Sequence, residues 1–242
     1  MTCKLCEKDG PLLNSHIIPE FAYKPAYDEK HRFHVLSTYA RRLRPMAQKG
    51  LREPLLCARC ETQLSQYEHY AQRAIEGGVP LGIRQLTNGI EVTELDYSRL
   101  KLFGLSVLWR AGVAKHLMFS RVSLGRHEPI LRRMIEHGDP GRADQYGFIV
   151  IGISGEHGAQ SDWIDQPERV PLDGHTCYRF VFAGFMWVFF VSSHRPKAIF
   201  RSHFLQEDGT LQIMFKPFAE LGFVRTFGKR LDAMGRLISP NP

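Results

Sequence analysis

Cys3-Lys4-Leu5-Cys6 opens the chain, and Cys57-Ala58-Arg59-Cys60 repeats the spacing after an interval of 50 residues. Two residues between cysteines let the backbone fold back so that both sulfurs meet one ion. Two such pairs supply four thiolates for a tetrahedral zinc site, with sulfur about 2.3 Å from the metal. The expected ligands are therefore Cys3, Cys6, Cys57 and Cys60, holding one structural Zn2+. A four-cysteine iron–sulfur cluster uses the same ligands, but nothing else in the chain points to redox chemistry. The long interval means that the ion closes a large loop with other structure inside it. A module of about 75 residues buries little core unaided, so the metal is expected to contribute folding free energy directly.

The fifth cysteine, Cys177, lies in the apolar stretch TCYRFVF and reads as a small buried core residue. An odd cysteine count argues against a disulfide framework, and the polar start MTCKLCEKDG carries no secretory signal. Metal binding in a reducing compartment, hence a cytoplasmic location, is the expectation. The longest apolar run, Phe180 to Val191, has 12 residues. A membrane span needs about 20, so the run reads as a buried strand or hairpin and no membrane partner is expected.

The chain has 242 residues, 43% hydrophobic and 24% charged, the composition of an ordinary folded protein. Its 32 basic residues exceed its 25 acidic ones by seven. Residues 30–52 contain Lys30, Arg32, Arg41, Arg42, Arg44, Lys49 and Arg52 with no Asp or Glu, so the whole excess lies between the two cysteine pairs. A solvated loop would explain such a run, but its place beside a metal site favours a polyanion, and DNA is the expected partner. Arg41, Arg42, Arg44, Lys49 and Arg52 are the candidate nucleic-acid contacts.

The organisation reads as α+β. Residues 1–76 form the metal module. Residues 77–95, rich in glycine, read as a connector. Residues 96–242 form an accessory domain of helices followed by an antiparallel sheet, with a protein partner or a second copy as its expected associate. Apolar residues at helical spacing predict helices in 57–75, 96–119 and 127–138, the last with Pro129 in its first turn and Gly138 at its end. Strand patterns follow in 146–153, 175–194 and 210–216. No catalytic motif stands out there. His116, His127, His137, His157, His175, His194 and His203 are scattered and read as surface or core residues.

On the first of these helices, Glu61, Ser65 and Glu68 share one face. A carboxylate beside a cysteine knuckle suits a harder cation such as Mg2+, although solvated helix residues are the plainer reading. His16 gives this face its context. It sits in Leu12-Leu13-Asn14-Ser15-His16-Ile17-Ile18-Pro19, a short strand-like stretch inside the metal loop.

C-x-x-C, then S-H-I-I-P, then L-L-C-x-x-C-E resembles the HNH, or ββα-metal, endonuclease superfamily. The resemblance is closest to its zinc-bearing branch, which includes phage junction-resolving enzymes and carries D-H in the strand and N after the last cysteine. It covers residues 3 to about 70 and implies a zinc-stapled ββα-metal, treble-clef-like module. His16 then stands where the family has its general base. Glu61 replaces the metal-binding asparagine, and Ser15 replaces the aspartate that is the other ligand. Ser15 loses a carboxylate, and Glu68 is the residue available to restore the charge.

The implied reaction is metal-dependent phosphodiester cleavage. His16 takes a proton from water, and a Mg2+ or Mn2+ ion stabilises the developing charge. The resemblance further implies a place in bacterial defence or a mobile element. The alternative is an adaptor for nucleic acid or protein on the same scaffold without the chemistry, which Ser15 favours. A purely structural zinc ribbon would leave His16 and the charge concentration unexplained.

Overall fold

The first ten residues fold back around Cys3 and Cys6. The Cys3 N–H donates to the Lys8 carbonyl, the Gly10 N–H to the Met1 carbonyl, and the Thr2 hydroxyl to Asp9. In the computed structural model, which describes residues 1–34, 46–156, 158–159 and 161–233, this knuckle leads into strand β1 (Leu13–His16) and two short 3-10 turns. Strands β2 (Arg32–His34) and β3 (Met46–Gln48) pair antiparallel with Phe33 opposite Ala47. Strand β4 (Arg52–Leu56) returns antiparallel to β1, with Ser15 opposite Glu53 and His16 opposite Arg52. Helix α1 (Ala58–Ile75) follows at once. Arg41, Arg42 and Arg44 lie outside the described residues.

Within 77–95, expected as a connector, β5 (Gly82–Leu86) and β6 (Gly89–Thr93) form a hairpin. Next come α2 (Tyr97–Val113) and α3 (Glu128–His137). Asp96 caps α2 by accepting from the Arg99 N–H, and Gly138 ends α3 in the left-handed region at φ 68°. Strands β7 (Phe148–Gly155), β8 (Gly158–Ala159), β9 (Asp165–Leu172), β10 (His175–Phe182) and β11 (Phe185–Phe190) follow, then the short helix α4 (Ala198–Arg201), β12 (Leu211–Pro217) and helix α5 (Gly222–Ala233).

One sheet collects the second half in the order β5-β6-β12-β7-β11-β10-β9, with β8 pairing the end of β7. It is antiparallel except for β12 against β7, which run parallel and place Ile213 beside Val150. The expectation of a wholly antiparallel sheet is corrected at that pair. After β11 the chain passes through α4 before entering β12, so β12 is not bound to the antiparallel pairing of a tight hairpin.

Two hairpins turn on two residues with positive φ, Asp173–Gly174 and Ala183–Gly184. That geometry matches the right-handed twist of the flanking strands. Strand β9 lies at the sheet edge, where Pro167 and Pro171 are tolerated because the outer N–H groups need no partner.

Helix α2 lies at the centre. Its residues from Leu100 to Ala111 are buried without a break. A helix buried on all sides must be covered on all sides. On one side Phe103 meets the rings of Phe182 and Trp187 on the sheet, and on another it meets Phe21 from the N-terminal module at 6.1 Å between centroids. One apolar core runs from Cys3 and Leu5 through α1 and α2 to Phe148, Phe189 and Ile213.

Gly104 sets how closely α2 approaches the sheet. A Cβ there would sit 2.9 Å from a ring carbon of Phe148 and 3.2 Å from one of Phe189. Gly104→Val is therefore expected to lower stability by about 1–3 kcal/mol through overpacking. Urea unfolding of the variant against the parent checks this, and an unchanged midpoint would contradict it.

Candidate metal centre

Two chain segments bring the four sulfurs together. The knuckle at 3–6 is tied to β4 by the Lys4 N–H donating to the Leu55 carbonyl. Cys57 sits at the N-cap of α1 with its backbone extended, and Cys60 lies in the first turn. The Cys57 side chain makes no cap hydrogen bond and turns to the cluster. All four sulfurs lie within 4.8 Å of one another. Cys3, Cys6 and Cys60 are buried and Cys57 is half-buried.

The spacing identifies what fits. Sulfurs bound at about 2.3 Å around one tetrahedral ion stand about 3.8 Å apart. The Cys6 and Cys57 sulfurs are 3.8 Å apart. A disulfide would need about 2.05 Å, and all four cysteines are free thiols. An iron–sulfur core places several atoms between its thiolates and spreads them further, so this cage suits a single ion. The Cys57 N–H also donates to the Cys3 sulfur at 3.3 Å, which ties the start of α1 to the first knuckle.

Ionisation within the cage is uneven. Burial opposes it at Cys6, but the Lys8 N–H, the Arg59 guanidinium and the neighbouring thiols outweigh burial and bring Cys6 down to about 6. At Cys60, burial and then the neighbouring thiols push the group above the ordinary cysteine range. Such thiols ionise together when a cation is among them. Residues 3, 6, 57 and 60 thus form a four-cysteine cluster with the donor set and spacing for a structural zinc ion.

Nearby, β1 presents two successive side chains to opposite sides. Ser15 is fully buried and donates its hydroxyl to Glu61 Oε2 at 2.6 Å, so strand and helix meet at that pair. His16 faces the turn before β4, where its Nε2 lies 3.0 Å from the Lys49 carbonyl. A carbonyl only accepts, so Nε2 carries the proton and Nδ1 keeps its lone pair. Burial first, and Arg52 in addition, lower the His16 pKa, against the Lys49 contact and the charges of Glu20 and Glu68.

The turn is built for this contact. Lys49 and Gly50 have φ of 58° and 65°, and a Cβ on Gly50 would lie 3.0 Å from the His16 ring and 2.9 Å from that of Tyr23. The Lys49 side chain is exposed and that of Arg52 is half-buried.

Glu68 does not join Ser15 and Glu61. Its Oε1 pairs with Arg110 of α2 at 2.6 Å. Arg110 and Glu53 were missed in the sequence. Arg110 is buried in an otherwise apolar helix and also donates to the His16 carbonyl, while Glu53 accepts from the Lys115 and His116 N–H groups. A lone arginine inside LSVLWRAG was the available signal for the first.

No protein-family model, curated protein or solved structure matches the chain, so the assignment of the cluster rests on its own geometry. The purified protein is expected to carry one zinc per chain by elemental analysis. Cys57→Ser is expected to lose the metal and destabilise residues 1–76, because the ion is part of their folding free energy. Absence of zinc, or iron with labile sulfide, would contradict this.

Proposed function

We propose that the chain is a metal-dependent endonuclease of HNH type acting on nucleic acid, most simply DNA, with the four-cysteine cluster as a zinc staple. The observation that carries the reading is the meeting of Ser15 and Glu61 at 2.6 Å, one residue along β1 from a histidine whose Nε2 is held by the Lys49 carbonyl. The order of hairpin β1–β4 and then α1, with the cluster at the helix start, supports a ββα-metal arrangement.

In this reading Glu61 and the Ser15 oxygen are the residues that would hold a Mg2+ or Mn2+ ion. When bound, the ion supplies charge stabilisation at the phosphate. One carboxylate is the low end of what such an ion accepts, and Glu68, paired with Arg110, adds no second one.

His16 acts as general base through Nδ1, oriented by the Lys49 carbonyl on its other nitrogen. Its lowered pKa keeps the ring neutral near pH 7, the form a base needs. Lys49 and Arg52, together with Arg41, Arg42 and Arg44, hold the phosphate backbone by charge and without base preference.

The adaptor reading draws on one observation, the serine where a second carboxylate would strengthen a metal site. Activity separates the two. With Mg2+ or Mn2+ the protein is expected to nick plasmid DNA. His16→Ala is expected to lower the rate by a factor on the order of 10²–10⁴ with zinc content and melting temperature retained. A His16→Ala variant whose activity persists at the parental level, or falls only as far as stability falls, would remove His16 as the base; a parent protein that cuts nothing with either ion would leave the adaptor.

Binding is tested apart from cleavage. Affinity for DNA is expected to fall steeply with salt, and replacing Arg41, Arg42 and Arg44 by Gln is expected to flatten that dependence. Tight binding indifferent to both would refute the electrostatic contact.

A further inference from the structure

Arg110 is 1% exposed, in the last turns of a helix from the region expected to be accessory. A buried guanidinium persists only where its donors are used. Here Nε donates to the Ser106 carbonyl at 3.3 Å, and Nη2 reaches the Ser106 hydroxyl at 3.4 Å, which anchors the side chain to its own helix. The outward nitrogen Nη1 then makes two contacts at once, with the His16 carbonyl at 2.7 Å and with Glu68 Oε1 at 2.6 Å.

One nitrogen therefore joins three elements: α2, the end of β1 and the middle of α1. The next turn of chain adds a second hold on the same hairpin, through the Lys115 and His116 N–H groups on Glu53 of β4. Both strands of the hairpin that carries Ser15 and His16 are thus gripped from α2 and the residues just after it. The ring of His16 is held from the far side by the Lys49 carbonyl.

We propose that Arg110 is a positioning residue for His16, fixing the backbone of β1 against α1 so that the imidazole meets the Lys49 carbonyl in one orientation. The proposal rests on the nuclease reading above for its effect on rate. Arg110 is buried and does not reach substrate, so its loss moves turnover and not substrate affinity. Lysine has one nitrogen where the arginine fork has three, and it cannot hold Ser106, His16 and Glu68 together.

The test uses the full chain. Arg110→Met alone strands the Glu68 carboxylate and risks unfolding. The informative variant is Arg110→Met with Glu68→Met, which removes both charges and keeps apolar volume; Glu68→Gln alone, whose amide oxygen still accepts from Nη1, is its control, and Arg110→Lys is the conservative change. Plasmid cleavage with Mn2+ gives kcat and KM, and long-range proton–nitrogen spectra of the histidine rings report the His16 tautomer without reference to activity.

The double variant is expected to keep zinc, melting temperature and KM, while kcat falls about 10–100-fold below the Glu68→Gln control. The Nε2–H form of His16 is expected to give way to a mixture of tautomers. Arg110→Lys is expected to recover part of both. A folded double variant with the control's kcat and an unchanged His16 signal would overturn the proposal. If the parent protein cuts no nucleic acid, the nuclease reading fails. The ring spectrum alone then decides: an altered His16 signal upholds the positioning role, and an unaltered one ends it.

Discussion

Four cysteine sulfurs within 4.8 Å of one another are a repulsive arrangement once they ionise, and three of them are buried where water does not screen the charge. A cation among them turns the repulsion into attraction. Two sulfurs belong to the first six residues and two to the start of α1, so an ion held among them would fix where that helix begins. The start of α1 in turn fixes Glu61, one residue past the last ligand, against Ser15. The position of the one carboxylate at this site therefore follows from the metal cage.

The second constraint is the burial of α2. Its covering comes from the sheet on one side and from α1, Phe21 and α3 on others. Polar links run along the same boundary. Gln63 of α1 donates to the carbonyls of Ile135 and Glu136 at the end of α3, and Arg132 of α3 donates to the Leu5 carbonyl in the knuckle. These bonds satisfy carbonyls at a helix end and in a knuckle that would otherwise be partly dehydrated. Residues 1–76 and the helices after them share a core, which gives the second half a direct means of shaping the site in the first.

Helices were legible where apolar spacing was regular, most clearly where Pro129 and Gly138 marked the ends of one. The cysteine cluster was legible because spacing alone encodes it. Strand β9 was not, because Pro167, Glu168 and Arg169 break any alternation; an edge strand tolerates them, and edge position is a property of the finished sheet. The Asp173–Gly174 turn signal was present but had no recognisable strand before it. The hairpin β5–β6 was hidden by its glycines. Gly89 is required by close approach, since a Cβ there would lie against the Ile213 carbonyl of β12. The partnership of Arg110 with His16 and Glu68 was not legible at all, because it joins residues 94 and 42 positions apart through packing that only the fold creates.

The serine at position 15 has a physical consequence for the proposed chemistry. Two carboxylates meeting at one point repel, and burial would raise the pKa of one of them until a cation arrived. Ser15 with Glu61 avoids that conflict, because the hydroxyl donates a hydrogen bond to the carboxylate and holds it in place without any ion. The pair is thus preorganised at rest but offers one carboxylate where two would bind a dication more tightly. Binding a cation requires the Ser15 proton to turn away, so that its oxygen lone pairs face the ion; the nearby Leu13 carbonyl, 3.4 Å from the Ser15 oxygen, is an acceptor for that rotated hydrogen. Under the nuclease reading an ion there would be held weakly by the protein alone, and metal loading would then depend on the presence of nucleic acid.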